Sequence, residues 1–205
     1  EMGVGIIWIG RESRFSDYPK NRNIDMKALV EELRRFGINT ILSSILLLDK
    51  HTKENIREEI DEHLACRPTF SQFSHYAPLP DTPLWNRMQR EGRLIRGIPW
   101  EEMHAFNEPW FSHPHFTALE GKNIQEEAYQ RDFHELGPSW FRLIETEYEG
   151  WHYLRHSDKS LLRARADFFA RQMKTHKILL AAMNYLVPTE HMRNLLKNFR
   201  QRVKN

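Results

Sequence analysis

Residues 70–94, FSQFSHYAPLPDTPLWNRMQREGRL, constrain the fold more than any other stretch. Residues 70–77 are rich in aromatic side chains and lack glycine, which suits a strand. Pro78 and Pro80 cannot donate backbone hydrogen bonds, so the strand ends there. Asp81 or Thr82 can cap a helix that opens on Pro83, a residue tolerated at the first helical position. Leu84, Trp85, Met88 and Leu94 then supply an apolar stripe, and Gly92 is a stop signal. Strand, stiff loop and helix make one β/α unit, and such units bind ligands on the loop at the strand's C-terminal end.

The same unit occurs twice upstream. Residues 4–9 (VGIIWI) form a continuous apolar run, expected to be a strand buried on both faces, with GRES at its polar end. Asp25 can cap a helix over 26–36, with Leu29, Val30, Leu33 and Phe36 as its inner stripe and Gly37 as its stop. Residues 40–48 (TILSSILLL) read as the second strand. Thr52 can cap a helix from about Lys53 to Ala65, with Ile56, Ile60 and Leu64 inward. Strand starts about thirty to thirty-five residues apart match the size of a β/α unit and imply a parallel sheet with right-handed crossovers.

The pattern changes after Leu94. Residues 97–123 hold aromatics, histidines and prolines, and are expected to be an irregular segment packed across the barrel, not a new sheet. From Ile124 the chain reads as helical, interrupted at Gly137 and Pro138. Asp158 can cap a long helix on which Leu162, Phe169, Met173, His176, Leu180 and Met183 form one apolar seam. Pro188 breaks it, and Thr189 can cap a last helix. The expected organisation is therefore α/β: a partial, TIM-like (β/α) barrel of three consecutive β/α units over 1–96, a connecting segment over 97–123, and an all-α extension over 124–205.

The 205 residues are 40% hydrophobic and 28% charged, an ordinary globular composition. No run is long and apolar enough to span a membrane. Residues 159–205 carry eleven Lys and Arg against Asp167 and Glu190, a net +9, which leaves −7 for the rest of a chain whose net charge is +2. Such asymmetry suits either a solvated helical face docked on an acidic body or an anionic partner. Cys66 is the one cysteine, which excludes a disulfide framework and fits a reducing, cytoplasmic setting. It is expected to be an inert, buried thiol. His113-Pro114-His115, with His104 nearby, lacks a matching carboxylate or cysteine set for a metal.

The ordered series GRES, then HTKEN after the second strand, then residues 70–94 resembles the C-terminal half of the radical S-adenosylmethionine barrel. More narrowly, it is similar to the members of that family that often carry a cobalamin-binding domain upstream. The family's last strand is followed by P-x-P-G-T-P-L-Y and then E-G-R-L. Here those positions read Pro78-Leu79-Pro80-Asp81-Thr82-Pro83-Leu84-Trp85 and Glu91-Gly92-Arg93-Leu94. The resemblance covers roughly residues 3–94.

The resemblance implies that Glu12 and Ser13 hydrogen-bond the ribose or the amino-acid end of S-adenosylmethionine. The alternative for Glu12 is an ion pair with Arg11 or Arg14 on a loop. Ser43 and Ser44 either face the cofactor or form a polar patch in a packed strand. Tyr76, Ala77 and Leu79 would flank the adenine, and Gln72 and His75 are candidates for the substrate side. Two departures stand out. The family's G-F-P-G-E-T-x-E reads Leu47-Leu48-Asp49-Lys50-His51-Thr52-Lys53-Glu54 here, without either glycine, and Asp81 replaces a third.

The resemblance also implies cofactors: S-adenosylmethionine, a [4Fe–4S] cluster, and cobalamin as an option. The cluster's three-cysteine motif is absent, so its ligands would lie outside this chain. The expected partners are then the N-terminal half of the barrel and an unidentified small-molecule substrate. The intact enzyme would cleave S-adenosylmethionine reductively, for radical-based modification or methyl transfer, and this chain alone would be inactive. The competing expectation is a non-catalytic binding module whose basic helical tail contacts RNA or a partner protein.

Overall fold

The computed structural model describes residues 3–16, 19–21, 23–186 and 189–204, with the backbone alone described at 19, 177–179, 181–186 and 204. The elements run β1 (Ile6–Glu12), α1 (Met26–Arg35), β2 (Asn39–Leu46), α2 (Ile56–Ala65), β3 (Phe70–His75), α3 (Pro83–Arg90), α4 (Ala118–Leu136), α5 (Ser139–Leu154), α6 (Ser160–Leu186) and α7 (Glu190–Lys204). The three strands form one parallel sheet in the order β1-β2-β3.

Local chemistry sets the helix starts. The Asp25 carboxylate accepts from the Ala28 N–H at 3.0 Å, and Thr82 Oγ1 from the Trp85 N–H at 3.2 Å. At α2, Thr52 and Asn55 instead close a turn on each other, Thr52 N–H to Asn55 Oδ1 at 2.8 Å, and the helix begins at Ile56. α4 starts at Ala118, not at Ile124, because Thr117 and Glu120 form a reciprocal capping box.

Burial alternates along β2: Thr40, Leu42, Ser44 and Leu46 are buried, and Asn39, Ile41, Ser43 and Ile45 are not. The buried set faces the helices. Leu42 packs with Met26 and Val30 of α1 and with Cys66. Leu46 and Phe73 join Ile56, Ile60 and Leu64 of α2, Met88 of α3 and Ala128 of α4. The opposite face is open among the described residues. It begins with Ile6 and Trp8, which are 51% and 65% exposed, while Ile7 and Ile9 on the helix side are half-buried, so β1 is not buried on the two faces its apolar run predicted.

The two sheet edges differ. Along β3, Phe73 N–H donates to Tyr129 Oη at 3.1 Å, Phe73 O accepts from Gln125 Nε2 at 2.7 Å, and His75 N–H donates to Ala105 O at 2.8 Å. Side chains of α4 and the segment before it therefore close that edge. Along the outer edge of β1, only the Gly10 and Arg11 carbonyls are met, by Asn21 Nδ2 at 2.7 and 3.1 Å, among the described residues.

α5 lies under the N-terminal ends of β2 and β3. Arg142 holds Asp132 in a bidentate buried pair, at 2.8 and 2.6 Å, and also donates to Pro68 O at 3.1 Å. Thr146 Oγ1 meets Thr69 Oγ1 at 3.3 Å. Phe169 and Leu180 of the α6 seam are buried, Leu162 and Met173 pack against the cores, the Met183 side chain is not among those described, and Pro188 lies outside the described residues. His176 faces Glu147 across α5 and α6, Nδ1 to Oε2 3.4 Å. Burial pushes the Glu147 carboxyl up to about 7 and holds the His176 imidazole below its ordinary range.

Gly150 of α5 touches the backbone of Gly37, which turns the chain into β2 at φ 66°. A methyl group on Gly150 would collide with backbone atoms that cannot swing away. Gly150→Ala should therefore destabilise the fold by about 1–3 kcal/mol, read as a lower urea midpoint at unchanged m-value.

Candidate functional site

The C-terminal ends of the strands divide the predicted site residues between two faces. Gly10, Ser43 and Gln72 are register partners across the three strands, and residues in register on a parallel sheet share a face. That face is the open one. Glu12 belongs with them, through an unusual backbone. The strand bulges between Gly10 and Glu12, and Glu12 takes a left-handed conformation, φ 63°. Its carboxylate then folds over Gly10, in the space a β-carbon there would fill, and pairs with Lys20 Nζ at 3.0 Å. So Glu12 does form an ion pair, the alternative to a ligand role, but with Lys20 and not with Arg11 or Arg14.

The side chains of Ser43 and Gln72 make no hydrogen bond to another described residue and are half-buried. Carboxylate, ammonium, hydroxyl and carboxamide thus form one row near the sheet's C-terminal end, above the apolar rung of Trp8, Ile41 and Phe70.

Ser13, Ser44 and His75 lie on the other side, among the helices. Ser13 Oγ donates to Glu59 Oε2 at 2.6 Å, accepts from Phe15 N–H at 3.0 Å and meets His51 Nε2 at 3.2 Å. The Arg11 guanidinium binds Glu59, Ser44 Oγ at 3.2 Å and Glu62 at 2.6 Å. Ser44 Oγ also meets His63 Nδ1 at 2.8 Å.

A serine, a histidine and a carboxylate side by side suggest nucleophilic chemistry, but the protons are in the wrong places. His51 Nδ1 accepts from the Leu48 N–H at 3.1 Å, which assigns the ring proton to Nε2. The imidazole therefore has no free lone pair to take a proton from Ser13, and Ser13 already donates to Glu59. Burial alone would push the Glu59 carboxyl up. The N–H of His51, the charge of Arg11 and the hydroxyl of Ser13 together hold it below its ordinary range. The network is a buried clasp between the end of β1 and α2.

His75 is buried against α4, and burial lowers its imidazole pKa. Its ring nitrogens make no well-formed hydrogen bond, with the backbone of Asn107 and Gly121 close by. Tyr76 packs on the main core, Ala77 is half-buried, and Leu79 is 55% exposed on the proline loop.

The three positions where glycine gives way to another residue behave differently. Asp81 adopts φ 61° and Leu47 φ 61°, both left-handed. An aspartate tolerates this region better than most residues. Leu47 is fully buried, and its side chain fits because Gly121 of α4 lies against it. The third, Lys50, forms a turn residue before His51.

Arg93 of the EGRL stretch reaches back to this loop. It binds Asp49 at 2.6 and 3.2 Å and Glu91 at 3.1 Å, while Arg87 binds Asp49 at 2.6 Å. Burial opposes ionisation of Asp49, but the Arg93 hydrogen bonds and the Arg93 and Arg87 charges hold its carboxyl below the ordinary range. His113 Nε2 lies 2.9 Å from Leu48 O on the same loop. Neither Asp49 nor the buried Arg11–Glu59 pair was marked by sequence as a connector, since their partners are more than thirty residues away.

Metal ligation has no visible home: no group of three or more His, Cys, Asp or Glu among the described residues could hold an ion. The Cys66 thiol is buried, donates to Glu62 O at 3.3 Å, and has its pKa raised by burial. No helix is long and apolar enough to cross a membrane among the described residues.

His63 sets a pH dependence. Burial and the Arg11 charge push its imidazole down from the ordinary 6.5 to about 3. Between these values the unfolded chain binds a proton that the folded chain refuses, so stability falls as pH drops through that window. Acidification from pH 7 to pH 4 should cost on the order of 3 kcal/mol at this site. Denaturant titrations of His63→Gln should show a correspondingly shallower pH dependence.

No protein-family model matches this chain, and no match emerges among the curated proteins.

Proposed function

We propose that the open face of the sheet is the interior wall of a (β/α) barrel, and that the chain is the C-terminal half of a radical S-adenosylmethionine enzyme with a helical extension. One observation carries the reading. The strands follow one another in chain order, among the described residues the helices packed on the sheet lie on one face, and the other face grades from an apolar rung to a polar row. Doubly wound sheets put helices on both faces, whereas barrels put them outside only. The edge contrast agrees: α4 closes β3, and the outer edge of β1 has backbone groups to spare for further parallel strands.

S-Adenosylmethionine fits the polar row chemically. Its ammonium and hydroxyls need acceptors and its carboxylate needs a donor. Glu12, Ser43, Gln72 and Lys20 supply both kinds on one face, with Tyr76, Ala77 and Leu79 on the adjoining loop. Ser13 and Ser44 act behind this wall, by fixing its strands, and His75 is buried there against α4. The iron–sulfur cluster does not fit these residues, because the one thiol is buried among helices and committed to a carbonyl. In the intact parent the cluster would be held by residues beyond this chain, and cobalamin by an upstream domain. The parent would cleave S-adenosylmethionine reductively, for radical-based modification or methyl transfer.

Equilibrium dialysis of the purified chain against labelled S-adenosylmethionine tests the row. Saturable binding is expected, weakened about ten- to a hundredfold in Glu12→Gln/Ser43→Ala, the loss that removing hydrogen bonds to a charged ligand brings. Binding unchanged by the double substitution would contradict the assignment. So would 5′-deoxyadenosine made by this chain alone after anaerobic iron and sulfide reconstitution.

A further inference from the structure

The C-terminal helices have charges that the fold does not use. Arg165 donates to Phe36 O at 3.2 Å and Gly37 O at 3.1 Å, and Arg163 donates to Ser157 O at 2.7 Å and Asp158 O at 2.8 Å. Arg202 pairs with Glu145 at 2.5 Å and lies 3.6 Å from Glu149. Near the end of α7, Arg202 is also favoured by the helix dipole. Arg193 and Lys197 have no such explanation. Their side chains make no ion pair or hydrogen bond with a described residue, and both are exposed. Arg193 stands in the first turn of α7, where the dipole disfavours a cation, and Lys197 follows at i+4, where like charges repel.

These two cations belong to a stripe. Met192, Leu196 and Phe199 are buried against α5 and α6. The opposite side of α7 presents Glu190, Arg193, Asn194, Lys197, Asn198 and Gln201, all exposed. Glu190 opens this face and no carboxylate side chain follows it, so from Arg193 onward the face carries only cations and carboxamides.

We infer that this face of α7 docks single-stranded RNA. The guanidinium and ammonium groups would neutralise phosphates, and the interleaved carboxamides can donate to and accept from 2′-hydroxyls. A membrane surface is the poorer partner, because interfacial helices insert an apolar face and that of α7 is already buried. The inference is independent of the barrel reading, and its failure leaves that reading standing.

Fluorescence anisotropy of the full chain with a labelled 20-nucleotide RNA, repeated over a salt series, tests it. Binding should weaken with salt. Arg193→Gln/Lys197→Gln should bind more weakly at low salt and flatten the log–log salt slope by about 1.4, roughly 0.7 for each phosphate that is no longer neutralised. Lys27→Gln/Lys122→Gln, exposed cations elsewhere, should leave the slope unchanged, and circular dichroism would show that each variant folds. The inference is overturned by a double variant with the parent's slope, by equal affinity for DNA of the same sequence, or by binding to phosphatidylserine vesicles without RNA binding.

Discussion

Parallel sheets depend on cover, because their strands carry apolar side chains on both faces and their crossover helices must shield them. In this chain the helices shield one face only. That asymmetry organises the rest of the molecule. It places Leu42, Leu46 and Phe73 in the cores, and leaves Trp8, Ile41 and Phe70 as a rung without helices over it among the described residues. It also explains why polar groups on the two faces have different fates. On the helix side every hydroxyl must be paired, so Ser13 and Ser44 are tied to Glu59, Arg11 and His63. On the open side Ser43 and Gln72 can stay available.

The clasp and the open row are linked through two consecutive residues. Arg11 points into the helices and is locked by Glu59 and Glu62. Glu12 follows in a left-handed conformation and turns its carboxylate over Gly10 on the other face. A non-glycine residue in this region costs on the order of 1–2 kcal/mol, and the buried ion pair next to it fixes the strand end in place. Such over-determined backbone is common where a ligand must meet a fixed group. Asp49 does the same for the second loop, held between Arg87 and Arg93.

Much of the architecture could be read from spacing. Three apolar runs with caps and stops between them foretold three β/α units, and Thr82 with Pro83 foretold the start of α3. The T-x-x-E box at Thr117 was equally present in the sequence, but the aromatic and proline-rich surroundings masked it, and α4 came six residues earlier than expected. The face of each site residue was not legible. Ser13, Ser44 and His75 share composition and spacing with Ser43 and Gln72, and only sheet register separates them. A bulge at Arg11 shifts that register by one residue, and no local sequence signal announces it. The burial of β1 was overestimated for a related reason: an apolar run tells how sticky a strand is, not how many elements arrive to cover it.

The central claim is that the open face receives S-adenosylmethionine. Backbone chemical-shift mapping of the labelled chain during titration with this ligand tests it most directly. The account predicts saturable shifts centred on Gly10, Glu12, Ser43 and Gln72, fading toward Ser13, Ser44 and His75 behind the sheet. Shifts centred on the helix side, or none at saturating ligand, would contradict it.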